Sequence, residues 1–157
     1  MNQEYFTFEL ASSIQMGIAL DSMRMASQFE LQNICTVPGV ANFWYGVVNY
    51  KGSLLWVLDS DRFFNIPTQK GQRLQKLTAV ILKPKAEYGQ KQVAIVTKQL
   101  QGILAIEPSC LQPLTEHPPQ LQQCCNAVAQ TDGETVYLLD TTKFLEQLHQ
   151  RSILITA

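Results

Sequence analysis

Charged residues are scarce in this chain. They make up 16% of its 157 residues and almost cancel, with a formal net charge of -1, whereas soluble domains usually carry about 25%. Nucleic acids and anionic membrane surfaces are bound by clustered Lys and Arg, so the composition argues against both kinds of partner. Glutamine supplies much of the polarity instead. Uncharged polar surface is compatible with close approach of another protein, because interface centres are depleted of Lys, Glu and Asp.

Long apolar runs are also missing. No segment approaches the ~18 apolar residues of a membrane span. Residues 1–9 lack the basic start and the apolar centre of a secretory signal. We therefore expect a soluble, cytoplasmic protein without direct membrane insertion.

The residue types that usually carry chemistry are few and poorly placed. His117 and His149 have no ligand partner at metal-binding spacing, and no Gly-x-Ser-x-Gly elbow or phosphate-binding glycine loop occurs. The four cysteines show no Cys-x-x-Cys spacing and are predicted to be ordinary reduced thiols: Cys35, Cys110, Cys124 and Cys125. We expect no catalytic residue, no metal and no cofactor, and hence no enzyme.

Short apolar segments separated by turn residues dominate what is present. Alternating or continuous apolar patterns predict strands over residues 5–10, 14–20, 43–48, 54–58, 77–82, 92–96, 102–106, 124–129 and 135–140. A helical turn capped by Asp21 is predicted over 21–26, and exposed loops over 68–76 and 115–123. About ten short strands with few helices favour an all-β barrel arrangement.

A turn at Asn49-Tyr50-Lys51-Gly52 joins two of these strands. Gly52 suits a position with positive φ, which a residue with a side chain enters only at a steric cost. The strand after the turn ends at Asp59, and the last strand ends at Asp140. Each aspartate is predicted to have a structural role, capping the short helix that follows it.

The residues around this turn resemble the CheW family of chemotaxis coupling proteins. Val37-Pro38-Gly39 is followed by Gly46-Val47-Val48-Asn49, by a basic residue before Gly52, and by an apolar strand that ends at Asp59. The resemblance extends over about residues 5–148. The chain departs from the family at three positions, since Lys51 replaces a usual Arg, Trp56 a usual Pro and Thr97 a common Asp.

The resemblance implies a single CheW-like domain over residues 1–157 with two five-stranded SH3-like β-barrel lobes and short helices. Lobe one would span about residues 12–70, and lobe two about 1–11 together with 76–150. The first strand would cross into the lobe formed by the later half of the chain. An apolar groove is then expected between the lobes.

The resemblance also implies a function without catalysis. The protein would be an adaptor that couples the cytoplasmic tip of a methyl-accepting type of chemoreceptor to a CheA-type histidine kinase, in chemotaxis or in type IV pilus motility. One barrel face would bind the kinase, and the groove would take a receptor helix. The residues expected to bind partners are Val37, Asn49, Lys51 and Gly52 at the turn, with Met23 and Met25.

Two alternatives stay open at this point. Core packing is the more common role for methionines such as Met23 and Met25, because methionine fills irregular gaps in cores, but methionine also occurs on adaptable binding surfaces. The chain could also be a small β-barrel enzyme or ligand-binding protein, using a pocket between lobes and Cys124, Cys125 or His117.

Overall fold

The computed structural model describes residues 2–68, 75–84, 91–114 and 118–156, the last four without their side chains. Its strands are β1 Gln3–Glu9, β2 Gln15–Ala19, β3 Met23–Glu30, β4 Trp44–Tyr50, β5 Ser53–Leu58, β6 Lys76–Leu82, β7 Gln92–Thr97, β8 Gln99–Ile106, β9 Leu111–Gln112, β10 Cys125–Thr131 and β11 Glu134–Leu139. Its α-helices are α1 Ser60–Phe63, α2 Pro119–Cys124 and α3 Thr141–Thr156. None of the described helices is both long enough and apolar enough to cross a membrane.

The strands form two curled sheets, one in each lobe. Lobe one has the order β3-β6-β7-β5-β4, and lobe two has the order β8-β1-β2-β11-β10-β9. In lobe one, the backbone of Cys35 forms an isolated antiparallel β-bridge with Val47 of β4. The segment that follows the edge strand β3 therefore pairs with the opposite edge strand, β4. The expected all-β fold with two SH3-like barrels is confirmed, and the expected five strands are found in lobe one, whereas the short β9 gives lobe two a sixth strand.

The division of the chain between the lobes differs from the expected one. Strand β2 pairs with β1 and, in parallel, with β11, so it belongs to lobe two. Strands β6 and β7 pair with β3 and β5, so they belong to lobe one. The predicted boundary therefore fails for residues 15–19, 76–82 and 92–97. The deciding contacts join strands far apart in sequence, in parallel for β2 with β11 and β5 with β7 and antiparallel for β3 with β6, and local periodicity does not encode such pairings.

Two local predictions are also wrong. The turn expected over 21–26 is a short 3-10 turn over Leu20–Ser22, and β3 begins at Met23. The loop expected over 115–123 contains α2, while residues 115–117 lie outside the described chain. Pro119 at the first position of α2 needs no backbone N–H there, and Leu121 is buried. The loop expected over 68–76 falls mostly on residues 69–74, which are not described.

The core consists of three apolar clusters, of which one joins the two lobes. One fills the interior of lobe one and a smaller one fills that of lobe two. The largest lies between the lobes, and its aromatic centre joins Phe43 and Phe63 of lobe one to Phe144 of α3. The Phe63 ring meets Phe43 at 5.1 Å and Phe144 at 5.4 Å, both edge to face, a favoured aromatic arrangement.

Arg151 of α3 adds a cation–π contact and a hydrogen bond to Phe63 between the lobes. Its guanidinium lies 4.1 Å from the centre of the Phe63 ring, and Nη1 donates a 2.8 Å hydrogen bond to the Phe63 carbonyl. Helix α3 of lobe two is therefore fixed to α1 of lobe one. These contacts fill the space between the lobes and do not define a groove. The apolar groove expected there stays a prediction.

Candidate functional site

The β4–β5 hairpin turns through two residues, Lys51 and Gly52, between the paired residues Tyr50 and Ser53. Both turn residues have positive φ, 51° for Lys51 and 82° for Gly52, as a type I′ turn requires. The backbone N–H of Gly52 donates to Oδ1 of Asn49 at 3.1 Å. The positive φ predicted for Gly52 is confirmed, and the positive φ of Lys51 is an addition that the sequence pattern did not indicate.

The side chain of Lys51 is exposed at the tip of this hairpin. Its ammonium lies 5.3 Å from the centre of the Tyr50 ring. None of the described carboxylates lies within 4.0 Å of that ammonium. Lys51 therefore presents a positive charge that a partner carboxylate can reach.

Tyr50 anchors the turn to the barrel. Its hydroxyl donates to Sδ of Met25 at 2.9 Å, and its ring meets Phe29 edge to face at 5.7 Å. Both partners belong to β3. Because Tyr50 packs on these two residues, the hairpin tip is already ordered before it binds, which limits the conformational entropy lost on binding a partner.

Met23 and Met25 face different clusters. Met25 packs into the interior of lobe one, whereas Met23 packs on the cluster between the lobes. A register shift between them in the β3–β6 ladder accompanies this change of side. Both are partly buried, which favours the core reading, and a partner-binding role for either one stays a prediction.

Val37 lies in the segment that runs from the Cys35 bridge towards β4, and it is partly buried. That segment approaches β4 closely, with backbone hydrogen bonds of 2.8 Å and 2.9 Å between Cys35 and Val47. A Cβ atom on Gly46 would lie 2.1 Å from the Cys35 carbonyl oxygen. Sequence reasoning missed this role of Gly46, although glycine inside a strand is the usual sign of a close backbone approach.

Asp59 and Asp140 each cap the helix that follows. Oδ1 of Asp59 accepts from the Arg62 N–H at 3.3 Å, and Oδ1 of Asp140 accepts from the Lys143 N–H at 3.1 Å. Burial raises the pKa of Asp59. Burial and then the charge of Asp59 raise the pKa of neighbouring Asp61. The carboxylates of Asp59 and Asp140 thus each accept a hydrogen bond at the N-terminus of the helix that follows.

The residues proposed for an alternative chemistry are unfavourably placed. Cys124 and Cys125 are buried, and burial raises the pKa of each thiol to about 12, whereas a nucleophile or metal ligand needs the thiolate. His149 is exposed on α3, and His117 lies outside the described residues. Within the described chain no three His, Cys, Asp or Glu side chains are grouped to hold a metal.

A second surface feature was not predicted. Trp44 and Trp56 meet edge to face at 5.3 Å, and the ammonium of Lys91 lies over both rings. Trp56 is partly buried on the rim of the cluster between the lobes. The unusual Trp at a position where the resemblance leads one to expect Pro was the signal available in the sequence.

Comparison with known proteins agrees with this architecture. The CheW-like domain family matches residues 4–149. The protein named chemotaxis protein CheW from Thermotoga maritima is 23% identical over 145 residues, which cover 92% of this chain and 89% of that protein. The crystal structure of the scaffolding protein TtCheW from Thermoanaerobacter tengcongensis superposes with a TM-score of 0.72 at 15% identity, covering 89% of this chain and 90% of that one.

Proposed function

Because the chain belongs to the CheW-like domain family, we propose that it is a cytoplasmic, non-enzymatic adaptor that couples a methyl-accepting type of chemoreceptor to a CheA-type histidine kinase. The observation that carries this proposal is the hairpin tip of lobe one. It is exposed and positively charged, and it is supported by the hydrogen bond from Gly52 to Asn49 and by the one from Tyr50 to Met25. Such a tip suits recognition of a protein surface better than chemistry on a small molecule.

The kinase contact is assigned to this tip. Lys51 would pair with a carboxylate of the kinase's regulatory barrel, and Asn49 and Gly52 would hold the tip in shape. A lysine offers a point charge in place of the planar, two-pronged contact of the arginine that is usual in the family. We expect the contact to be weaker than a bidentate one and sensitive to salt.

The receptor contact is assigned to the rim between the lobes. Partly buried apolar side chains surround the shared cluster there: Phe6, Ala11, Ile14, Met23, Val40, Trp56, Leu100, Leu114 and Tyr137. An apolar rim of this kind fits an amphipathic receptor helix, as in helix-in-groove recognition. Binding receptor and kinase on one small domain raises the effective concentration of each for the other.

The departures Lys51 and Thr97 favour a divergent, specialised array. Thr97 is buried and directs its hydroxyl to the Thr78 carbonyl at 3.5 Å, so it offers no surface charge where the family commonly has Asp. A role in type IV pilus motility is the specialised use that we propose, with flagellar chemotaxis as the alternative. Identifying the kinase that co-purifies from a cell lysate decides between the two.

The Lys51→Ala variant tests the kinase contact. We expect recruitment of the kinase in a pull-down to fall about tenfold, because charge pairs at interfaces are worth about 1.5 kcal/mol or more. The melting temperature should change by no more than a few degrees, since the side chain is exposed.

Lys98→Ala is the matched control. Lys98 is also exposed, and its ion pair with Glu9 belongs to lobe two. Kinase recruitment that is unchanged in Lys51→Ala, or that falls equally in Lys98→Ala, would remove Lys51 from the kinase contact.

A further inference from the structure

Lys91, the residue before β7, lies over two indole rings. Its ammonium lies 4.5 Å from the ring centre of Trp56 and 5.6 Å from that of Trp44. Trp44 is 8% exposed, while Trp56 is more open to solvent. Burial lowers the pKa of Lys91, as expected for an ammonium whose stem and head lie on apolar surface.

Lys91 has no described anionic partner. Among the described residues, ion pairs join Arg62 to Asp59 and Lys98 to Glu9, and none involves Lys91. The nearest cation along the sheet, Arg24 of β3, donates a 2.6 Å hydrogen bond from Nη1 to the side chain of Gln92. Successive residues of a strand point to opposite faces, so this contact does not bring Arg24 onto the tryptophans. The rim beside Trp56 therefore carries the positive charge of Lys91 without a described carboxylate.

The equivalent place in lobe two shows that the fold does not need a cation there. The parallel pairing of β5 with β7 matches that of β11 with β2, so that Gln92 corresponds to Gln15 and Trp56 to Tyr137. Lys91 then corresponds to Ile14, which packs on the cluster between the lobes. An apolar side chain satisfies the fold in lobe two, so the charge of Lys91 calls for an explanation beyond folding.

We propose that Trp56 and Lys91 form a docking point for a carboxylate that is flanked by an apolar residue on the receptor helix. The apolar residue packs on Trp56 while the carboxylate pairs with the ammonium of Lys91. On a helix, residues three or four positions apart lie on one face, so an acidic residue and an aliphatic one at that spacing satisfy both halves. This inference rests on the proposed function and names the chemistry that the receptor must present.

The charge reversal Lys91→Glu tests the inference. Binding of a recombinant receptor cytoplasmic-tip fragment is measured by calorimetry at low and at physiological salt. We expect affinity to fall about tenfold, with most of the salt dependence lost, because close charge pairs across interfaces carry this much discrimination. The Lys91→Met variant keeps an apolar side chain on the indoles. The logarithm of its affinity for the fragment should therefore fall by about half as much as in Lys91→Glu.

Lys98→Glu is the control, since Lys98 is exposed and follows the last residue of β7, whereas Lys91 precedes the first residue of the same strand, where Trp56 pairs. It should bind the fragment like the wild type. A second arm replaces acidic residues of the fragment by Lys one at a time, and one of these should restore binding to the Lys91→Glu protein.

The outcomes separate the two levels of the argument. Wild-type affinity in Lys91→Glu would overturn the docking point and leave the adaptor function standing. An equal loss in Lys98→Glu would do the same, because the effect would then be one of general charge. Failure of the wild-type protein to bind the fragment at all would overturn the receptor half of the proposed function, and the docking point with it.

Discussion

The two lobes have the same strand pairing, and the positions at which their residues differ show which residues the fold requires. A shift of 81 residues carries the β4–β5 ladder onto the β10–β11 ladder pair by pair, from Trp44 with Leu58 onto Cys125 with Leu139. The irregularity between Trp44 and Gly46 is repeated between Cys125 and Ala127. The capping aspartates, Asp59 and Asp140, also correspond. What the lobes share is thus the backbone pairing and the helix caps, while most of the other side chains differ.

The adjacent cysteines find their explanation in this comparison. Cys124 and Cys125 occupy the positions that Phe43 and Trp44 hold in lobe one, and all four are buried. Lobe one continues into the single turn of α1, whereas lobe two continues into the long α3, which packs against α2. The cysteine side chains are smaller than Phe43 and Trp44, which leaves space in lobe two for the packing of α2 against α3. We therefore explain the cysteine pair by packing.

The largest expected difference between the lobes concerns Gly46 and its counterpart Ala127. In the Gly46→Ala variant the new Cβ would lie 2.1 Å from the Cys35 carbonyl, at a backbone φ of 144°. Both the clash and the backbone strain oppose it, so we expect a loss of about 3 kcal/mol or more in the free energy of unfolding. Urea unfolding measures the loss.

Ala127→Gly is the reciprocal change. It should cost only about 0.5–1 kcal/mol, the usual penalty for glycine inside a strand. Equal losses in the two variants would mean that the close Cys35 approach has no special role in lobe one.

The helix caps should respond alike in both lobes. Asp59→Ala and Asp140→Ala each leave a first-turn N–H without its acceptor, so each should lower the free energy of unfolding by about 1 kcal/mol. Asp59→Asn and Asp140→Asn keep an acceptor and should retain most of that stability. A cap loss confined to one lobe would contradict the equivalence of the two aspartates.

The Asp59 cap should also leave a trace in the pH dependence of stability. Burial raises its pKa above the ordinary 3.8, so the folded state holds this proton more tightly than the unfolded state does. Stability contributed by the protonated form is therefore lost as the pH rises from the ordinary value through the raised one. Asp59→Asn should flatten the urea midpoint across that acidic window, and an unaltered slope would argue against a buried, titrating Asp59.

Sequence reasoning reached the strands and the caps because they depend on local chemistry. The apolar run at 54–58 and the turn at Gly52 both encode their conformation in neighbouring residues. The assignment of β2 and β7 to lobes failed because their partners, β11 and β5, are parallel strands distant along the chain. Lys91 was missed for the same reason, since only the fold brings it onto Trp56 and Trp44.

The smallest expected difference lies at the two hairpin tips. Lys51 corresponds to Asp132, and both have left-handed backbone conformations, with φ of 51° and 48°. Aspartate tolerates this region better than lysine because its short polar side chain can hydrogen-bond locally. Lys51→Asp should therefore raise the free energy of unfolding by about 0.5 kcal/mol, and Asp132→Lys should lower it by a similar amount.

This exchange also separates folding from recognition at the tip. The Lys51→Asp protein should be slightly more stable in urea and yet lose kinase recruitment, because the partner carboxylate would now face a like charge. A destabilised Lys51→Asp protein would show instead that the contact between the Lys51 ammonium and the Tyr50 ring outweighs the backbone preference. Retained recruitment would show that the tip binds through its shape, and that its charge is dispensable.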